Sequence, residues 1–186
     1  AVVLTRFVMH IFRGVSRMFF EDILYRKDRL RFPTTSMLLL GDNRTSVSKM
    51  MKNRVRENLK TLYNITLPTK AKEDADEMEA RRTAKDAVYY IRKAVADSGD
   101  KMTRRKLKRY GMFRNFLGGA VICLPLSVAC WFIDFSRTGV SNSIIHVALI
   151  LYLILVVIDF FITKSAAVDY AETLITTFDK LNHDEA

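Results

Sequence analysis

Hydrophobic and polar positions divide this chain into two regimes. Up to about residue 112, apolar residues recur every three or four positions between charged ones, the period of half-buried helices; beyond that, two runs lose the polar face altogether. The runs are FLGGAVICLPLSVACWFI, 116–133, and IIHVALILYLILVVIDFFI, 144–162. The first holds no ionisable group except its two thiols, and the second holds only His146 and Asp159. At about 1.5 Å per residue, each is long enough to cross a hydrocarbon core of about 30 Å. The short polar connector DFSRTGVSNS, 134–143, makes the pair a helical hairpin. Past Lys164 the helical period persists at Ala167, Tyr170 or Ala171, Leu174, Phe178 and Leu181, so one helix is predicted from about 144 to 181. That stripe needs a covering surface, either the N-terminal helices or another copy of the chain.

Before the hairpin the pattern predicts three helices. Residues 2–31 show no strand alternation and place Arg6, His10, Arg13 and Arg17 on one stripe, at steps of four, three and four. The other faces carry Leu4, Phe7, Val8, Ile11, Phe12, Val15, Phe19 and Phe20. Three readings of this basic amphipathic helix stay open. It packs its apolar sides on cytosolic neighbours, or it lies on a membrane surface against lipid phosphates, or its stripe lines a pore or an anion-binding surface when copies assemble. Arg31-Phe32-Pro33 ends it. Residues 34–43 read as an extended connector or a single helical turn. A second helix starts at Thr45 or Ser46 and runs to about Tyr63, with Val47, Met51, Val55, Leu59 and Leu62 inward. Its other side carries Arg44, Lys49, Lys52, Arg54, Arg56 and Lys60 against one acid, Glu57. A third helix spans 70–97, with acids in its first turn and a packing stripe of Ala84, Val88, Ile91 and Val95; Ser98-Gly99-Asp100 stops it.

Charge sets the orientation and the class of partner. Of 186 residues, 30 are Lys or Arg and 20 are Asp or Glu, a net charge of +10 that falls on the part before the hairpin. The segment KMTRRKLKRYGMFR, 101–114, has no acid, so the rule that basic flanks stay inside puts it and both termini in the cytoplasm. Anionic headgroups, nucleotides or nucleic acid are the natural counter-charges. Arg54, Arg56, Arg104, Arg105 and Arg109 are the leading candidates to bind a polyanion.

Catalytic chemistry finds no foothold. A nucleophile with its base, paired carboxylates, metal ligands or a phosphate loop would be needed, and the three histidines are scattered. No metal site and no cofactor is expected. Cys123 and Cys130 are seven apart on one helix, too far for a bridge, and read as packing residues. The membrane helices say more. Gly119, Cys123, Ser127 and Cys130 form a small-residue stripe fit for close helix approach, and the Gly118-Gly119 pair reads the same way. Pro125 kinks the first span or serves as its hinge. Asp159, within about one turn of the cytoplasmic end, has Arg114 as its expected partner, either as a structural ion pair or as part of a gate around a shared axis.

The pattern thus predicts an all-α membrane protein, with a cytosolic or interfacial helical region over 1–112, a transmembrane hairpin over 113–163 and a C-terminal cytosolic helix over 164–186. A stretch like DRLRFPTTSMLLLGDN, then YGMFRNFLGG opening a two-helix hairpin whose second helix returns to the cytosol, resembles the SLATT-type membrane effectors of bacterial conflict systems. Within them it is most similar to the membrane partner of Hailong-type anti-phage defence. The resemblance is architectural and covers most of the chain. It implies an inner-membrane effector that depolarises the cell and is gated by a single-stranded DNA or nucleotide oligomer from a companion nucleotidyltransferase. Two spanning helices per copy cannot enclose a path alone, so a homo-oligomer, most simply a tetramer, is expected. The contrasting expectation is a membrane-anchored scaffold that docks a partner protein or anionic lipid.

Overall fold

A computed structural model describes the backbone of residues 2–25, 30–41, 47–138 and 143–183, and the side chains of 6–25, 30–41, 47–137 and 144–182. Every regular element among them is helical. In order they are α1 (Val2–Ser16) with a π-helical continuation (Arg17–Ile23), α2 (Pro33–Ser36), α3 (Lys49–Tyr63), α4 (Lys70–Ala75), α5 (Glu77–Asp97), α6 (Lys101–Thr138) and α7 (Ser143–His183). Two of them, α6 and α7, are long and apolar enough to cross a membrane. The chain forms two compact units, Ala1–Leu24 with Tyr110–Ser165, and Tyr25–Arg109 with Ala166–Ala186. The first helix thus groups with the apolar hairpin rather than with the helices that follow it in sequence.

The second unit is a helical bundle around one core. Val55 and Leu59 of α3, Ala84, Ala87, Val88, Ile91 and Val95 of α5, and Ala171, Leu174, Ile175 and Phe178 of α7 meet in it. The stripe on the extension of α7 is therefore covered by helices of its own chain. The expected inner face of α3 holds at Val55 and Leu59, whereas Leu62 is exposed. Ser48 caps α3, its side chain accepting from the Met51 amide at 3.2 Å; Thr45 and Ser46 lie outside the described residues. Asn64 closes α3 in the left-handed conformation, φ 55°.

Two local departures have physical causes. The helix expected over 70–97 breaks at Asp76, whose carboxylate accepts from the Glu79 amide at 3.0 Å and caps α5. The break leaves α4 free to turn Glu73 inward. Of the two forms open for the connector after Phe32, an extended segment or a single helical turn, the structure has the turn, begun by Pro33, and the segment is buried from Phe32 to Leu39. Buried backbone must find partners. Lys52 donates to the Leu39 carbonyl at 2.8 Å, and the Leu40 and Gly41 amides reach the Glu73 carboxylate at 3.1 and 2.9 Å. Arg81, itself buried, donates to Leu30 O and to Ser36 Oγ.

In the first unit α7 returns antiparallel to α6. Trp131 meets His146 at 5.7 Å between ring centroids, Cys123 meets Tyr152, and Phe20 meets Phe160 at 6.3 Å.

Candidate functional site

Two cationic features and one tight helix crossing stand out. On α6, Lys101, Arg104, Arg105 and Lys108 fall at i, i+3, i+4 and i+7 and share one stripe. All four are exposed, and none makes an ion pair or a side-chain hydrogen bond to a described residue. The opposite side of the same helix is occupied by Thr103, Tyr110 and Leu117, all buried. Arg109 flanks the ridge and lies 4.0 Å from Asp169, which Lys106 approaches at 3.2 Å. Asp100 opens α6 by accepting from the Thr103 amide at 2.6 Å, and the hydrogen bonds from Thr103 hold its carboxyl below the usual range.

The α3 arginines are placed differently from the expected free cationic face. Arg56 is drawn inward, donating to Glu73 Oε1 at 3.1 Å, to Leu38 O and, in a short contact, to Pro68 O, with its side chain 11% exposed. It holds the buried connector in place. Lys52 is likewise buried. Arg54 pairs with Asp179 at 2.7 Å and stays half-exposed. The α3 sequence shows one acid among its cations because the acids that compensate them, Glu73 and Asp179, are distant in sequence. Elsewhere in the unit, the hydrogen bond from Arg81 holds the Glu77 carboxyl below its usual range, and burial pushes the Tyr25 phenol up to about 12.

In the first unit the stripe Arg6, His10, Arg13 and Arg17 is exposed along its whole length. Its neighbours Phe7 and Ile11 are exposed too, at 62% and 41%. Only one edge of the helix is packed. There Ser16 and Phe20 are fully buried, and a side chain on Gly118 would come within 2.6 Å of Phe12 O and 3.1 Å of Ser16 Cα. The close packing expected of Gly118-Gly119 is thus met by α1 of the same chain. The π-helical turn that follows brings Glu21 to α6, where it accepts from Tyr110 Oη at 3.0 Å and takes a short contact from Arg114, with Arg17 at 3.8 Å.

Arg114 therefore pairs with Glu21 rather than with Asp159. Asp159 Oδ2 is buried without a hydrogen-bond partner among the described residues, as are Asn115 Oδ1 and Thr163 Oγ1. The rest of the small-residue stripe splits among neighbours. A side chain on Gly119 would meet the Phe12 ring at 3.6 Å, Cys123 meets Tyr152, Ser127 donates to Cys123 O at 2.9 Å, and Cys130 is exposed. Pro125 is exposed within a continuous α6. Sequence reasoning missed Glu21, Tyr110 and Glu73. The one available signal was that Glu21 is the first acid after a cationic stretch of twenty residues. No group of His, Cys, Asp and Glu among the described residues is arranged to hold a metal ion. No protein-family model matches the chain, and neither a curated protein nor a solved structure matches it.

Proposed function

We propose that the chain is the subunit of a homo-oligomeric membrane channel, gated by an anionic oligomer bound along the α6 ridge. The observation that carries this reading is the ridge itself. Four exposed cations occupy one stripe of the helix that continues without interruption into the first apolar stretch. A bound polyanion bears on the helix whose later residues form the first apolar stretch, so charge neutralisation on the cytoplasmic side acts on a spanning helix. Arg109, and Arg54 where it remains exposed beside Asp179, widen the surface; Arg56 leaves it for a structural role. With its resemblance to SLATT-type effectors, the chain fits a bacterial inner-membrane protein of anti-phage defence, both termini cytoplasmic, restrained or released by a single-stranded DNA or nucleotide oligomer from a companion nucleotidyltransferase. Two spanning helices per copy enclose no path, so a ring of copies, most simply four, is required.

Aromatic residues at the far end of the hairpin support insertion. Trp131 stacks on Phe135 at 5.9 Å and meets His146, the position where amphipathic rings sit at headgroup level. Membrane lipids are then obligate partners. Lys108 and Arg109 stand roughly 8–9 Å before Arg114 by helical rise, within reach of anionic headgroups, which is the feature favouring the anchor reading instead.

The experiment pairs binding with potential. The purified oligomer should bind short single-stranded DNA with an affinity that falls steeply as salt rises, since each neutralised phosphate releases counterions. Arg104→Glu with Arg105→Glu should abolish that binding. In cells, a potential-sensitive dye should report depolarisation in one of two conditions, with or without the companion enzyme. Binding that survives the double reversal refutes the ridge. An intact potential in both conditions, with the protein inserted, leaves the scaffold as the function.

A further inference from the structure

We infer that α1 is a third membrane-embedded helix and that its stripe of Arg6, His10, Arg13 and Arg17 lines a water-filled path for small inorganic anions such as chloride. The inference rests on the channel reading above and deepens it.

The depth of α1 follows from its pairing with α6. Glu21 meets Tyr110 and Arg114, Ser16 meets Gly118, and Phe12 meets both Gly118 and Gly119. Earlier residues of α1 therefore meet later residues of α6, and the two helices run antiparallel. Extended in the same direction, the residues before Phe12, exposed from Arg6 to Ile11, would run toward the part of α6 beyond Gly119. That part has no charged residue between Arg114 and Asp134. By helical rise the Phe12–Ser16 contact lies roughly 6 Å past Arg114, His10 roughly 12 Å past it and Arg6 roughly 18 Å past it. In a core of about 30 Å, Arg6 is then beyond the midplane.

At that depth the three faces of α1 have different needs. The packed edge, Phe12, Ser16 and Phe20, is satisfied by the hairpin. The exposed apolar flank, Phe7 and Ile11, suits lipid. The cationic stripe suits neither. Arg13 and Arg17 can bend back toward the cytoplasmic surface, but a guanidinium at the position of Arg6 has no such route and requires an aqueous cavity or an opposing charge. Glu21 is already held by Tyr110, Arg114 and Arg17, and Asp159 adjoins Phe160, which meets Phe20, fourteen residues along the helix from Arg6. Water is what remains. One chain has no lumen, so the cavity forms where the stripes of several copies face one another, and rings of cations of one sign select anions.

Full-length protein in planar bilayers under a potassium chloride gradient, with and without short single-stranded DNA, tests this. The expected reversal potential lies on the chloride side, and Arg6→Glu with Arg13→Glu should shift it to the potassium side. In a background of Cys123→Ser and Cys130→Ala, a membrane-impermeant thiol reagent should react with Arg6→Cys and reduce the current, and should leave Phe7→Cys unreacted. If the double reversal fails to insert, the cysteine pair decides alone. A current whose reversal potential ignores both charge reversals, or an inert Arg6→Cys, overturns the α1 path and leaves the channel reading standing. No current under either condition from inserted protein overturns the channel reading and this inference with it.

Discussion

Gly118→Ala is the sharpest test of the crossing between α1 and α6. A methyl group there would sit 2.6 Å from Phe12 O and 3.1 Å from Ser16 Cα, with Ser16 Cβ nearer still. Ordinary carbon contacts begin at about 3.5 Å, so the helices must part by about 1 Å. Two of the three obstructing atoms are backbone and the third is bonded directly to it, and Ser16 is fully buried, so no side chain can simply swing away. A gap of that size forfeits about a quarter to a half of the dispersion energy along the seam. Overpacking of this kind costs about 1–3 kcal/mol, whereas the better helix propensity of alanine acts within α6 whether or not α1 is docked. The loss of about 1–3 kcal/mol therefore falls on the docking of α1, roughly a 5- to 150-fold fall in the ratio of docked to undocked helix.

The assay is amide hydrogen exchange of α1 in nanodiscs, read by mass spectrometry. Under fast reclosing, exchange follows the open population, so α1 amides should exchange roughly 5- to 150-fold faster in Gly118→Ala. Gly111→Ala is the control on the same helix. Nothing lies within 4 Å of a side chain at Gly111, so only the propensity gain operates, and α1 exchange should be unchanged. Equal exchange in Gly118→Ala and wild type would refute the steric argument. It would also remove the depth assigned to α1.

Arg114→Leu should lower the denaturation midpoint in detergent by the equivalent of about 3–5 kcal/mol, because it strands buried Glu21; Glu21→Leu with Arg114→Leu together should recover most of that loss. Arg56→Ala should destabilise the protein by a similar amount, about 3–5 kcal/mol, through Glu73, while leaving salt-dependent DNA binding intact by fluorescence anisotropy in the cold. Arg104→Glu with Arg105→Glu should do the reverse. The carboxyl of Glu77 titrates below its usual range because Arg81 donates to it, so its contribution is present above the unfolded pKa of about 4.3 and is lost as pH falls through the lower folded value. Glu77→Gln should flatten that acid limb of the melting temperature. The step is small, because the carboxylate is half-exposed.

Helix period, turn residues and hydropathy are local quantities, and what they govern was legible. The limits of α3 near Tyr63, the stop at Gly99, the turn at Pro33 and a seventh helix running through Lys164 into a soluble stripe each follow from residues within a few positions. Partner choice is not local. Arg56 and Arg104 look alike in sequence, each on a helix with few acids nearby. One is turned into the fold by Glu73, brought inward only because Asp76 breaks the helix, and the other meets no described side chain. The same applies to Arg114. Depth along the hairpin pointed to Asp159, but a π-helical turn carries Glu21 to it first, and the extra residue in that turn is what no 3.6-residue pattern reveals. The consequence for function is that net charge overstates the binding surface. Setting aside the arginines committed to Glu21, Glu73, Glu77 and Asp179, Arg17 among them, leaves two coherent groups of exposed cations, the α6 ridge and the Arg6, His10 and Arg13 part of the α1 stripe. They suit different anions. The ridge lies on a helix before its apolar stretch and presents closely spaced charges to a polymer. The stripe belongs to the helix that packs on Gly118 and Gly119 and presents about one cation per helical turn, a spacing that, in the proposed channel, would pass a small ion from site to site without holding it.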